Sequence, residues 1–344
     1  MINVFLSSRD WAVPRNELGV RHHVTTLYEE VFRGHEVHVY PRSLEAGLLK
    51  AAVLHLPALL DGQVNVLTPG YPIVAGALAS WTKRDPGLIV HTWKVPGRSD
   101  DRPSARIYDS MLRRVIERAR TVVVASQLQR RQIEALGVGC SVLFAPVTVD
   151  SSFWHPPDAF DGDIAKFGLV PDGYVLTVGG NDRDECYGAL LGRELGLQYV
   201  RATATSAYAR HIEMELARHS LAEDAKLLVF PSDTELRALY AGARIVCLAT
   251  KTETNPAGLS ALVEALACGA LVGVPNSIAE EYVTDGVNGM VLSDRPEDFA
   301  ARVARDSAGS GSIRLAARKF AEEQLNVARV GARLRPIFLS QVDH

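Results

Sequence analysis

The stretch NPAGLSALVEALACGALVGVP, at 255–275, contains a predicted helix followed by a predicted buried strand. Asn255 and Pro256 are suited to the N-cap and the first helical position, and Gly269 is suited to the residue that ends the helix. The run LVGV that follows is typical of a parallel strand covered on both faces. The stretch therefore predicts one helix–strand unit of a parallel α/β sheet.

Glu264 is the only charged side chain between Glu253 and Glu280. On a helical wheel the larger apolar residues of this helix group on one side, and Glu264 falls away from them, beside Ser260 and Ala267. Two interpretations stay open for this position. Glu264 marks either a solvated helix face or a face of small residues that a ligand approaches closely.

The start of this helix favours a ligand. A helix N-terminus offers free N–H groups and the positive end of the helix dipole to an anion. The six residues from Gly258 to Glu264 span ~9 Å along the axis. A nucleoside diphosphate lying along the helix, with its phosphates at the start and its ribose at Glu264, would fit that spacing.

Short β-rich segments alternate with helical segments on both sides of this stretch. One series runs from INVFLSS (2–8) to CSVLFAP (140–146), and a second begins at YVLTVGG (174–180). The segment 149–173 between them is rich in Asp, Gly and Pro, which is typical of a linker. The pattern predicts an α/β fold of two doubly wound units, with a cleft at the carboxyl ends of their strands.

The composition argues against several classes of protein. The chain has 344 residues, of which 47% are hydrophobic and 22% charged, as in a folded globular protein. Its net charge of −3 gives no bulk affinity for nucleic acid or acidic membranes. The cysteines form no CxxC pair, so we expect reduced, packed thiols.

Targeting and membrane signals are weak. The N-terminal MINVFLSS has no basic region before a long apolar run, so it predicts a strand rather than a signal peptide. No apolar run reaches the ~18 residues of a membrane span. The arginines within 113–131 are most simply helix-surface charges, which allow at most a weak peripheral contact with anionic lipid. We expect a cytoplasmic protein.

Several stretches, in the expected order, resemble one enzyme family. ETNPAGLSALVEALACGALVGVPNSIAEEYVTDGVNGMVL, at 253–292, is similar to the nucleotide-sugar-binding segment of the family-4 retaining glycosyltransferases with the GT-B fold. The resemblance covers nearly the whole chain and is strongest over 224–293. Further stretches that carry it are GVRHHVTTLYEEVFRGHEVHVY, ERARTVVVASQLQRRQIEALG, YVLTVGGNDRD and KLLVFPSDTELRALYAGARIVCLAT.

The resemblance implies a domain plan. It consists of a Rossmann-like acceptor-side domain at 1–155, a linker at 156–172 and a Rossmann-like nucleotide-sugar-binding domain at 173–325. A C-terminal helix at 326–344 is expected to return to the first domain. The fold class is therefore α/β, GT-B, with two doubly wound domains facing a cleft.

The resemblance also assigns donor-binding residues. Glu264 would accept hydrogen bonds from the ribose hydroxyls of the donor. The backbone around Gly258, Leu259 and Ser260 would hold the diphosphate at the dipole end of the helix. Arg183, in GGNDRD, would bind the phosphates through its guanidinium group.

The residues near the base and the sugar are less regular. The resemblance places Phe230 beside the nucleobase. Family members carry an earlier glutamate in the helix segment, but here an extra residue follows Gly258. Glu253 or Asn255 would take the place of that glutamate near the sugar, and both alternatives stay open. No Lys follows closely after Arg183, where the family has one.

For catalysis the resemblance implies attack from the same face as the leaving group, without a protein nucleophile. His91, in LIVHTWK at a strand end, is the candidate catalytic side chain of the first domain, where it would hydrogen-bond the transferred sugar or the acceptor. A structural role for His91 is the alternative. The D-x-D patterns at 161–163 and 182–184 are too short to indicate a metal site, so no metal is expected.

The sequence thus predicts a retaining, metal-independent glycosyltransferase without a cofactor. Its donor substrate is a nucleoside diphosphate sugar, built on UDP or GDP, and its acceptor is a sugar or another hydroxyl compound. Two alternatives stay open: a nucleotide-sugar-binding subunit with altered catalytic residues, or another GT-B enzyme such as a nucleotide-sugar epimerase.

Overall fold

The structure is a computed structural model of the whole chain. The described residues are 2–6, 23–41, 48–61, 64–81, 87–97, 103–158, 161–180, 182–203, 206–229, 231–251, 258–276, 281–305 and 310–340. They form two compact units. The first comprises Met1–Thr148 with Val327–His344, and the second comprises Val149–Asn326.

The first unit is built on a six-stranded parallel sheet with the order β2-β1-β3-β4-β5-β6. Its strands are apolar and largely buried because helices cover the sheet, as in most parallel sheets. The strands are β1 (Ile2–Leu6), β2 (Val37–Pro41), β3 (Val64–Leu67), β4 (Leu88–His91), β5 (Thr121–Val124) and β6 (Ser141–Phe144).

Six described helices pack on this sheet. They are α1 (His23–Val31), α2 (Leu48–Asp61), α3 (Tyr71–Ala79), α4 (Pro103–Arg118), α5 (Gln127–Glu134) and the C-terminal α13 (Val327–Leu339). Helix α13 packs on α1, as predicted for the C-terminal helix: its apolar residues repeat every four positions, and Phe338 meets the rings of Tyr28 and Phe32 edge-on.

The second unit has a separate six-stranded parallel sheet with the order β12-β11-β10-β7-β8-β9. Strand β7 pairs with β8 on one side and with β10 on the other, so the strand order reverses beside β7. The strands are β7 (Tyr174–Val178), β8 (Gln198–Thr203), β9 (Ala225–Val229), β10 (Ile245–Cys247), β11 (Val272–Val274) and β12 (Met290–Val291).

The helices of the second unit begin and end at recognisable signals. Helix α7 is capped by Asp184 and ends at the left-handed Gly196, and α9 begins with a capping box of Ser232 and Glu235. The described α-helices are α6 (Asp161–Ala165), α7 (Glu185–Leu195), α8 (Ser206–Arg218), α9 (Asp233–Gly242), α10 (Leu259–Ala267), α11 (Pro296–Arg305) and α12 (Ser310–Phe320).

The segment expected to link the domains belongs to the second unit. Its contacts place 149–172 with the second unit, and part of it forms α6. The domain bounds given above, 1–155, 156–172, 173–325 and 326–344, stay a prediction. Cys140, Cys186, Cys247 and Cys268 carry free thiols. No helix among the described residues is long and apolar enough to cross a bilayer.

Candidate functional site

The carboxyl ends of β7 and β10 meet at the position where the strand order of the second sheet reverses. Open parallel sheets bind ligands at this position because the connections on either side diverge there. The loop after β7 carries Gly179, Gly180 and Arg183. An isolated antiparallel bridge joins Arg183 to Thr250, just after β10, so the two loops are held together.

Arg183 is buried beneath this edge, with only 4% of its surface exposed. Its Nε donates to the carbonyl oxygen of Val178 at 3.1 Å. Its Nη1 has no hydrogen-bond partner among the described residues. A buried guanidinium nitrogen without a partner is costly, because the cation has lost water and gained nothing in exchange. An anionic ligand would supply the missing acceptor.

The guanidinium group of Arg183 lies against Gly258. A Cβ built on Gly258 would be 2.5 Å from Nη2 and 3.0 Å from Nη1. Gly258 is the N-cap of α10, and its φ of 98° lies in the left-handed region that favours glycine. The glycine therefore lets the cation approach the start of the helix.

The electrostatics of Arg183 favour an anion. Desolvation by burial, followed by the like charge of Arg201, lowers the pKa of Arg183 to about 10. Arg183 thus stays charged at neutral pH. The N–H groups of the first turn of α10 have no partner within the helix and add partial positive charge to the same place.

We expect Gly258→Ala to destabilise the protein more than a matched glycine substitution does. The side chain would add backbone strain and would press on a guanidinium that is buried and anchored, so the loss should be roughly 2–4 kcal/mol. Gly196 has a φ of 65° and open space around it, so Gly196→Ala adds only backbone strain and should destabilise the protein by about 1 kcal/mol. Equal losses in thermal unfolding would contradict the close approach of Arg183.

Helix α10 begins later than predicted. Its N-cap is Gly258 and its first residue is Leu259, so the expected N-cap at Asn255 is wrong. The left-handed backbone of Gly258 cannot continue a helix, and its carbonyl oxygen accepts the first bond of the helix, from Leu262. The predicted diphosphate residues Gly258, Leu259 and Ser260 are consequently the N-cap and the first two helical residues.

Glu264 lies one turn and a half into α10 and is 9% exposed. The interpretation as a solvated helix face is therefore wrong. The hydroxyl of Tyr240, in α9, donates to Glu264 Oε2 at 3.2 Å. The negative charge of Glu264, after burial itself, contributes to raising the pKa of the Cys268 thiol. The sequence contains no signal for the contact with Tyr240, because it depends on the packing of α9 against α10.

His91 ends β4 in the first unit and is 5% exposed. Its ring meets that of Tyr28 edge-on, with the centroids 5.7 Å apart. Its Nδ1 has no hydrogen-bond partner among the described residues. Burial lowers the pKa of His91 to about 4, so the imidazole is neutral near pH 7. A neutral imidazole can donate or accept a hydrogen bond but does not carry a charge.

The lowered pKa of His91 predicts an acid-sensitive first unit. The unfolded chain takes up a proton below pH 6.5, whereas the folded chain does so only near pH 4. The contribution of His91 to stability is therefore fully present above about pH 6.5. As the pH drops towards 4, the free energy of unfolding falls by roughly 3 kcal/mol. His91→Phe should flatten this part of the pH profile in calorimetry, and the exposed His219→Asn should not. An unchanged profile in His91→Phe would refute the lowered pKa.

Three of the predicted site residues, Phe230, Glu253 and Asn255, lie outside the described residues. No group of three or more His, Cys, Asp or Glu side chains in the described part of the chain could hold a metal ion. The pattern DRD at 182–184 has a structural use, because the side chain of Asp184 caps α7 by accepting from the backbone N–H of Tyr187.

Solved structures with the same fold have distant sequences. HepE of Anabaena, in complex with UDP-glucose, is 15% identical and has a TM-score of 0.77, with 99% of this chain and 100% of that chain covered. The complex of HepE with UDP and glucose has a TM-score of 0.74. Sucrose-phosphate synthase from Thermosynechococcus elongatus is 15% identical with a TM-score of 0.78, and 98% of each chain is covered. These likenesses confirm the predicted GT-B fold class.

The sequence comparison is narrower. Residues 200–306 match the model of the family Glycosyl transferases group 1. The matched segment includes α10 and the predicted residues from Gly258 to Glu264. No curated protein matches the sequence significantly.

Proposed function

We propose that this protein transfers a sugar from a nucleoside diphosphate sugar to a hydroxyl acceptor, because residues 200–306 match the family Glycosyl transferases group 1. The reaction retains the anomeric configuration and requires no metal. One observation carries the proposal. The unpartnered guanidinium nitrogen of the buried Arg183 lies at the N-terminus of α10, on the same helix as the buried carboxylate of Glu264.

Arg183 and the start of α10 would bind the diphosphate. Nη1 of Arg183 would donate to a phosphate oxygen, and the N–H groups of Leu259 and Ser260 would donate to others. When the bond to the sugar breaks, negative charge grows on the diphosphate. Fixed donors that are already aimed at this charge stabilise the transition state more than the substrate.

Glu264 would bind the ribose. A carboxylate accepts hydrogen bonds from both of its oxygens, which suits a pair of neighbouring hydroxyls. The hydroxyl of Tyr240 holds Oε2 and thereby orients the group. Six residues separate Gly258 from Glu264, so the carboxylate lies ~9 Å along the helix from the proposed phosphate site.

His91 remains the proposed catalytic side chain of the first unit. Because burial keeps its imidazole neutral, its role would be to hydrogen-bond a sugar hydroxyl and not to supply a charge. Glu253 or Asn255 near the sugar and Phe230 near the base remain part of the proposal. No protein nucleophile is required, since the departing diphosphate can help to take the proton of the acceptor.

Thermal shift against a panel of nucleoside diphosphates tests donor binding. UDP is the first probe because the HepE structures contain UDP or UDP-glucose. A ligand at 100 times its Kd stabilises the native state by about 2.7 kcal/mol, which raises the unfolding midpoint measurably. EDTA should leave the shift unchanged. Absence of a shift with every nucleoside diphosphate would refute the proposal.

Transfer is tested separately from binding. The protein is incubated with the sugar donor of the nucleotide that binds, with and without a panel of hydroxyl acceptors. Free nucleoside diphosphate should appear faster with an acceptor, and the product should keep the anomeric configuration of the donor. Binding without turnover would favour the binding-subunit alternative, and an inverted product would refute the retaining mechanism.

A further inference from the structure

A second arginine lies beside the proposed phosphate site and is fully buried. Arg201, in β8, is 0% exposed. It forms a bidentate ion pair with Glu185. Nε donates to Glu185 Oε2 at 2.7 Å, and Nη2 donates to Glu185 Oε1 at 2.9 Å. The hydroxyl of Tyr199 also donates to Oε2, at 2.9 Å. The first turn of α7 is thereby tied to β8.

The same guanidinium holds the loop after β7. Nη1 of Arg201 donates to the carbonyl oxygens of Gly179 at 2.8 Å and Ala202 at 2.7 Å, and Nη2 donates to that of Gly180 at 3.2 Å. Together with the two bonds to Glu185, these bonds use every N–H donor of the guanidinium group. Arg201 therefore has no donor left for a ligand.

Arg183 lies between these two anchors. Gly180 precedes Arg183 and Glu185 follows it, and the guanidinium group of Arg201 donates hydrogen bonds to both residues. Asp182, just before Arg183, has a φ of 63°, in the left-handed region that Gly, Asn and Asp adopt most often. The position of the Arg183 side chain against Gly258 depends on this loop geometry.

We propose that Glu185 and Arg201 form a positioning ion pair that holds the chain at Gly179, Gly180 and Glu185, so that Arg183 is aimed at the diphosphate. The inference rests on the proposed function of Arg183. A buried ion pair is poor evidence of stabilisation, because desolvation of both charges offsets most of the attraction. Here the arginine of the pair also binds the carbonyl oxygens of two glycines just before Arg183, and its carboxylate partner lies just after Arg183, which supports a positioning role. Neither Glu185 nor Arg201 is expected to touch the ligand.

The test replaces the ion pair by apolar side chains of similar volume. Glu185→Leu combined with Arg201→Met removes both charges together and so avoids leaving one charge buried alone. Calorimetry with UDP and with uridine then separates the contribution of the phosphates. We expect the double variant to bind UDP about tenfold more weakly and to bind uridine within about twofold of the wild type.

Coupling to Arg183 distinguishes positioning from a general loss of structure. In an Arg183→Met background, removal of the ion pair should cause almost no further loss of UDP affinity, because the group that it positions is gone. The control is Arg193→Met, which breaks the exposed ion pair of α7 with Asp224 and should leave UDP affinity unchanged. An equal loss for uridine, or a full further loss in the Arg183→Met background, would overturn the inference.

Arg201→Lys serves if the double variant does not fold. An ammonium group can stay near Glu185, but it has three donors at one point and cannot span the carbonyls of Gly179 and Gly180. The same selective loss of UDP affinity is expected. If Arg183→Met itself leaves UDP binding unchanged, the proposed phosphate site fails. If Arg183→Met weakens binding but neither ion-pair variant does, only the positioning role fails.

Discussion

Glu264→Ala is expected to weaken UDP binding by roughly 100-fold or more, because hydrogen bonds to a charged group contribute about 1.5–3 kcal/mol each and two ribose hydroxyls lose their acceptor. The fold should survive. Alanine is the best helix former, and the flanking Val263 and Ala265 are already buried in the core. Isothermal titration with UDP measures the loss, and circular dichroism checks that the fold is intact.

Tyr240→Phe is the matched control for Glu264. It removes the hydroxyl that donates to Oε2 but keeps the ring that packs edge-on against Trp154. The carboxylate remains, so UDP affinity should fall by less than about tenfold. If folded Glu264→Ala binds UDP as tightly as the wild type does, the ribose assignment is wrong.

Arg183→Met is expected to weaken UDP binding by roughly 30- to 150-fold, which corresponds to about 2–3 kcal/mol, while uridine binding stays almost unchanged. Uridine has no phosphate, so it does not use the guanidinium group. Methionine has a similar length and fills the space between Gly179 and Gly258 without a charge. Titrations with both ligands measure the difference.

The same substitution has a second expected effect. Arg183 is a buried cation with an unpartnered nitrogen and with Arg201 as a like charge nearby, so its removal should keep or raise the unfolding midpoint of the free protein. A binding residue that costs stability is typical of a functional site. Equal losses of UDP and uridine affinity would contradict the phosphate role of Arg183.

The sequence pattern predicts two strands well at their amino ends and too long at their carboxyl ends. It predicts β6 over 140–146, but β6 ends at Phe144, although Ala145 is buried too. It predicts β7 over 174–180, but β7 ends at Val178. An apolar pattern indicates which residues are buried, but not which of them pair with a neighbouring strand. The residues beyond the last paired position form loops at the carboxyl edge of the sheet, so the predicted strand β7 extends into the loop that carries Arg183.

The sequence points to part of the candidate site. The lone charge at Glu264 could be found because it interrupts an apolar helix, and its burial agrees with a binding face. The helix start at Gly258 could not be predicted, since Asn255 and Pro256 fit a cap equally well by residue type and only the backbone reveals the left-handed glycine.

The role of Arg201 shows a different limit of sequence analysis. A charged residue inside the apolar strand QYVRAT is a visible irregularity, but its partner is sixteen positions earlier, in another element. Which carboxylate and which carbonyl groups it meets depends on the pairing of β7 with β8 and on the placement of α7. Contacts of this kind follow from topology and not from spacing along the chain.

A crystal structure of the protein with UDP tests the central claim most directly. The account predicts a phosphate oxygen ~3 Å from Nη1 of Arg183 and from N–H groups of the first turn of α10, with the ribose hydroxyls on the carboxylate of Glu264. UDP bound with its phosphates away from Arg183 and its ribose away from Glu264 would contradict it.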